Sequence, residues 1–93
     1  VGITYTVVYH EQVVLHDIPL LNGAWRGKIK KAIESKLTHA PEVYGKPLRR
    51  SLHGYRKLRV GDWRVIFRID EKKVKIFVIA HRSHVYKRVY DRI

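Results

Sequence analysis

Two hydrophobic rhythms run along the chain. From residue 55 onward apolar and polar positions alternate in "YRKLRV", "WRVIFRI" and "VKIFVIA". A two-residue period predicts strands with one face in a core. "GD" at 61–62 joins the first two as a tight hairpin, glycine supplying the positive φ of its first corner, and "DEKK" at 70–73 makes the next turn. "ITYTVVY" at 3–9 is rich in β-branched and aromatic residues and predicts another strand. Between them the period changes. Trp25, Ile29, Ile33 and Leu37 recur every four residues, the stripe of a buried helix face running from an Asn22 N-cap to about His39. A shorter helix is expected from Glu11, ending near Pro19, and residues 40–54 read as a loop. Ser83 is a candidate cap for a terminal helix carrying Val85, Val89 and Ile93. The expected order is βααβββα. It describes one α+β domain over residues 1–93, a small antiparallel sheet packed on an N-terminal helical hairpin, with a short C-terminal helix.

The hairpin fixes which side chains share a face. With Gly61 and Asp62 in the turn, Val60 pairs with Trp63, Arg59 with Arg64, Leu58 with Val65 and Lys57 with Ile66. Leu58, Val60, Trp63, Val65, Phe67 and Ile69 form a core face, and Tyr55, Lys57, Arg59, Arg64 and Arg68 lie opposite. Carried across the second turn, the same register pairs Ile69 with Val74 and Arg64 with Ile79, and sets His81 beside Asp62. Two arginines facing each other disfavour a sheet unless water or an anion relieves them.

Charge sharpens this picture. The chain carries a formal net charge of +12, divided unevenly. Residues 1–44 hold five basic and four acidic residues, whereas residues 45–93 hold fifteen and four. A one-ended basic field points to a polyanionic partner, foremost a nucleic acid. Cysteine is absent, which removes disulfides and thiolate metal sites. No apolar run approaches a membrane span and no secretory segment opens the chain, so a cytoplasmic protein without membrane association is expected.

"HRSHVY" at 81–86 follows the last strand directly. It delivers imidazole, guanidinium and phenol groups to the sheet end where Lys57, Arg59 and Arg64 converge. Tyr86 lies one helical turn past Arg82, although packing against Tyr90 would account for it equally well. If the polyanion is RNA, its cleavage without a metal would need a base for the 2′-hydroxyl, cations for the phosphorane and an acid for the leaving oxygen. Arginines suit the middle role, and Lys57 and His81 are both candidates for the base. His81 and His84 make a weak metal pair, and no serine sits in a nucleophile elbow. No metal or cofactor is expected.

"GKPLRRSLHG", "LRVGDWRVIFRID" and "IFVIAHRSHVY", in that order behind a strand and a helical hairpin, resemble the RelE/ParE superfamily of toxins from toxin–antitoxin pairs. The resemblance covers essentially the whole chain. It implies a RelE-like messenger-RNA interferase, an endoribonuclease acting in the ribosomal A site, with a cognate antitoxin as partner. ParE-like members inhibit DNA gyrase instead, and that is the alternative. By position the family's catalytic residues correspond to Lys57, Arg59, Arg64, Arg82 and Tyr86, with His81 matching a histidine common before that arginine. Arg49, Arg50, Arg56 and Arg68 are the further nucleic-acid-binding candidates.

Overall fold

The computed structural model describes residues 4–93. Ile3, expected to open the first strand, and the first two residues of the expected domain lie outside the described residues. Five strands form one sheet in the order β1-β5-β4-β3-β2. Their ranges are β1 Thr6–Tyr9, β2 Lys46–Pro47, β3 Arg56–Val60, β4 Trp63–Asp70 and β5 Lys73–His81. The β3–β4–β5 meander is antiparallel as expected, while β1 joins the outer edge of β5 in parallel and makes the sheet mixed. Between β1 and β2 the chain climbs through a helical segment over residues 11–20, then α1 (Gly23–Ala32), whose axis continues through wider turns at Ile33–Leu37. The stretch expected to be loop holds a single helical turn, α2 (Pro41–Tyr44), together with β2 and a tight turn at Arg50–Leu52. α3 (Val85–Arg92) ends the fold. No helix among the described residues is long and apolar enough to cross a membrane.

Local chemistry explains most boundaries. Asn22 caps α1 by accepting from the Trp25 N–H at 2.9 Å, which satisfies one of the open donors of a helix start. Pro19 lies inside the tight Ile18–Leu20 turn, early enough that its missing N–H costs no helical bond. Gly61 has φ +60°, and a Cβ there would meet the Trp25 ring at 2.5 Å, so both the turn and the docking of α1 require glycine. Ser83 does not cap α3. His84 holds the N-cap position without a side-chain bond, and the Ser83 hydroxyl instead lies between the His81 and His84 rings at 2.8 and 2.7 Å.

The sheet has two cores rather than one. On the helical-hairpin side Val13, Leu21, Ile29, Ile33 and Leu37 pack against Leu58, Val65, Phe67, Val74, Ile76 and Ile79. On the other side α3 lays Val85 and Val89 over Ile66, Val78 and Ala80, with Leu52 at the rim. The face expected to be simply basic is therefore half covered. Phe67 is fully buried, and a Cβ at Gly45 would run into its ring. Phe67→Ala is expected to lower unfolding stability by about 3–5 kcal/mol, read from urea titration.

One register expectation fails. Ile69 does pair with Val74, but a bulge between Ile66 and Phe67 sets Phe67 opposite Ile76 and Ile66 opposite Val78. Phe77 is the extra residue, so everything beyond it on β5 changes face. Arg64 consequently faces Ala80 rather than Ile79, and His81 pairs with Trp63 instead of lying beside Asp62.

Candidate nucleic-acid interface

The β3–β4 hairpin sets the basic residues in the predicted register, with Arg59 directly opposite Arg64. Arg64 is steadied by its own turn, its Nη1 donating to the carbonyls of Gly61 at 2.7 Å and Trp63 at 2.9 Å. Those bonds spread part of the like-charge cost onto carbonyl dipoles. Arg59 stays exposed. One row further from the turn, Lys57 pairs with Ile66, and its ammonium donates to the Tyr86 hydroxyl at 3.2 Å. Lys57, Arg59, Arg64 and Tyr86 thus meet on the α3 side of the sheet.

α3 meets the sheet in three stripes, each at the four-residue spacing of neighbours on a helix. Val85 and Val89 point into the second core. Tyr86 and Tyr90 flank β3, where Tyr86 meets Lys57 and the Tyr90 hydroxyl meets that of Ser51 at 3.1 Å. Arg88 and Arg92 turn the other way and enclose Asp17. The Asp17 carboxylate accepts from Arg88 at 3.1 Å, from Arg92 at 2.8 and 2.9 Å, and from the Ile79 N–H at 2.9 Å. Its side chain is 0% exposed.

The position of this cluster has a plain cause. β1 covers the β5 edge only as far as Ile76. Beyond it the Ile79 N–H takes Asp17 and the Phe77 carbonyl takes Arg92 at 2.9 Å. Buried backbone groups on an otherwise open edge are satisfied, and α3 is tied to the first helical segment. Two of the fifteen basic residues of the second half therefore serve structure.

His81 and the remaining arginines are placed differently. The bulge turns His81 to the helical-hairpin side, where its ring stands edge-on to Trp63 with centroids 5.6 Å apart. Its Nδ1 accepts from the Ser83 N–H at 3.2 Å. Among the two candidate bases, only Lys57 shares a face with Arg59 and Arg64. Arg82 continues the ladder, its N–H donating to the Asp62 carbonyl at 2.8 Å, and its Nε lies 3.7 Å from the Asp62 carboxylate in an exposed pair. Arg49 and Arg50 are exposed at the tight turn before β3. Arg56 is engaged elsewhere, donating to the carbonyls of Gly45 at 3.0 Å and Glu42 at 3.3 Å. The Arg68 guanidinium lies 6.0 Å from the centre of the Tyr55 ring.

A cationic strand pair, a covering helix held by a buried acid and a lysine–tyrosine contact at their junction define a small basic α+β domain with its polar chemistry on one sheet face. Residues 10–86 match the family described as the ParE toxin of the type II toxin–antitoxin system parDE. The chain belongs to this family of toxins. It is 43% identical over 53 residues to Toxin RelE of Mycobacterium tuberculosis, a stretch covering 55% of each chain. It is 37% identical over 54 residues to Toxin RelG of the same organism, covering 56% of this chain and 62% of that one. The matched stretches thus span little more than half the length of these relatives. Among solved structures it resembles the toxin–antitoxin complex RelBE2 of M. tuberculosis, with a TM-score of 0.81 and 30% identity over 87% of this chain and 94% of that one.

Proposed function

We propose that this toxin is an endoribonuclease that cleaves messenger RNA in the ribosomal A site by attack of the RNA's own 2′-hydroxyl, without a metal. The observation that carries the reading is the 3.2 Å contact between Lys57 and Tyr86 beside the facing Arg59 and Arg64. In the proposed reaction the uncharged Lys57 amine takes the 2′-hydroxyl proton as the 2′-oxygen bonds to phosphorus. Tyr86, whose oxygen accepts from Lys57, keeps its own hydrogen for the departing 5′-oxygen. The new Lys57 ammonium faces the phenolate and returns a proton to it, which restores both groups. Arg59, Arg64 and Arg82 balance the charge that builds on the phosphorane oxygens. The fragments are a 2′,3′-cyclic phosphate and a 5′-hydroxyl. His81, on the other side of the sheet, takes no part in this scheme.

The name of the matched family favours a second reading, inhibition of DNA gyrase. One preparation assayed for ribosome-programmed mRNA cleavage and for gyrase supercoiling decides between them. Cleavage with unimpaired supercoiling is expected; the opposite pattern replaces this proposal with the gyrase reading. An RNA carrying a single 2′-deoxy residue immediately 5′ of the cut should bind and resist cleavage. EDTA should leave the chemistry unchanged when polyamine maintains the ribosome. Efficient cutting of the deoxy-substituted RNA would exclude the mechanism.

The partner is proposed to be a cognate antitoxin whose acidic and apolar segment covers the basic half. Co-expression should relieve growth arrest and yield a complex that purifies intact.

A further inference from the structure

α3 covers only the hairpin end of its sheet face, over Ile66, Val78 and Ala80. The other end of that face remains open. There a groove of about 320 Å³ runs across four segments, lined by Val8 and His10 of β1 and its exit, Lys75 and Phe77 of β5, Arg68 of β4, and Tyr55 before β3. Its floor is aromatic. The Tyr55 and Phe77 rings lie 5.2 Å apart and tilted by 34°, and His10 stands edge-on to Phe77 at 5.3 Å. Its walls are cationic. Arg68 lies over Tyr55, and Lys75 is directly opposite Arg68 in the sheet. Phe77, the extra residue of the bulge that turns His81 away, keeps to the same side as Lys75.

We propose that this open half-face is a stacking subsite for single-stranded RNA, holding a base of the same strand that enters the Lys57–Tyr86 site. Aromatic faces flanked by guanidinium and ammonium groups are the chemistry that retains an unpaired base and its phosphate. Two observations point to RNA, and the second separates it from an acidic protein segment. Arg68, exposed over the Tyr55 ring, repels basic peptides and attracts phosphate. The groove also adjoins the proposed cleavage site, because Tyr55 and Lys57 are two residues apart, the spacing of neighbours on one strand face. Lys75 is shared with Asp70 at 3.0 Å, an exposed pair that a phosphate can reorganise at little cost. The inference rests on RNA being the substrate, and its test separates the two ideas.

The probe is a fluorescent single-stranded RNA of about ten nucleotides, fully 2′-O-methylated so that binding is read without cleavage. Tyr55→Leu and Arg68→Ala are each expected to weaken its binding about tenfold, the loss of one stacked base. Arg68→Ala should also lower the salt dependence by about 0.7, one phosphate contact on a single strand. A probe truncated to the nucleotides flanking the cut should bind both variants as it binds wild type. Circular dichroism and thermal melts of the variants separate weak binding from misfolding, and Arg68, being exposed, is the safer of the two. Loss of affinity in a protein that proves to cleave no RNA would uphold the subsite and overturn the nuclease reading. Normal affinity for the long probe in both variants overturns the subsite. So does a defect confined to binding of the partner protein, which would make this face a protein-docking surface.

Discussion

Lys57→Arg is expected to lower the cleavage rate by about 10²–10⁴-fold while RNA affinity is retained. Arginine preserves the positive charge beside Arg59 and Arg64, so phosphate attraction survives. A guanidinium stays protonated at any pH the protein tolerates and accepts no proton from a 2′-hydroxyl. Tyr86→Phe should act at the other end of the reaction, sparing the ring's place on α3 and removing only the oxygen that Lys57 reaches. Single-turnover cleavage beside anisotropy titration reads both quantities. Wild-type cleavage by Lys57→Arg would remove Lys57 from proton transfer and leave it as a simple counter-charge. If both variants lose affinity and rate in equal proportion, the pair binds RNA and moves no proton.

Asp17→Ala should be among the most destabilising single changes in the chain. It strands the Arg92 side chain, only 10% exposed, together with the partly buried Arg88 and the Ile79 N–H. Breaking a buried ion cluster from one side costs about 3–5 kcal/mol, because the remaining charges lose their compensation. For a domain of this size the midpoint should fall by more than about 10 °C. The damage should be directional as well. α3 loses its hold on the first helical segment, and Tyr86 travels with α3, so cleavage should fail at temperatures where the sheet still gives a folded circular dichroism spectrum. A melting curve indistinguishable from wild type would show that Val85 and Val89 alone seat the helix.

The parts of this structure legible in the sequence are those with local causes. Gly61 and Asp62 leave only one way to pair β3 with β4, so the Arg59–Arg64 pair and the Leu58–Val65 core row follow from a two-residue turn. Asn22 and the four-residue stripe place α1 for the same reason. The β4–β5 register was not legible beyond Phe67. The bulge involves no glycine or proline, and Phe77 looks like any other strand residue. Counting straight through it puts His81 on the face of Arg59 and Arg64, whereas the fold turns it to the other. The covered second face did leave a trace. The run from Ile76 to Ala80 is apolar at consecutive positions, the pattern of a strand buried on both sides, and Ile66 lies among the basic residues of β4. Asp17 left none, since its arginine partners are 71 and 75 residues away.

That distance has a consequence for synthesis. A chain emerging from the ribosome forms the first helical segment early, but the edge of β5 past Ile76 cannot close until residues 88 and 92 have followed. Contacts between the earliest and latest parts of a chain are the slowest to form. The helix that carries Tyr86 therefore settles after the sheet it covers.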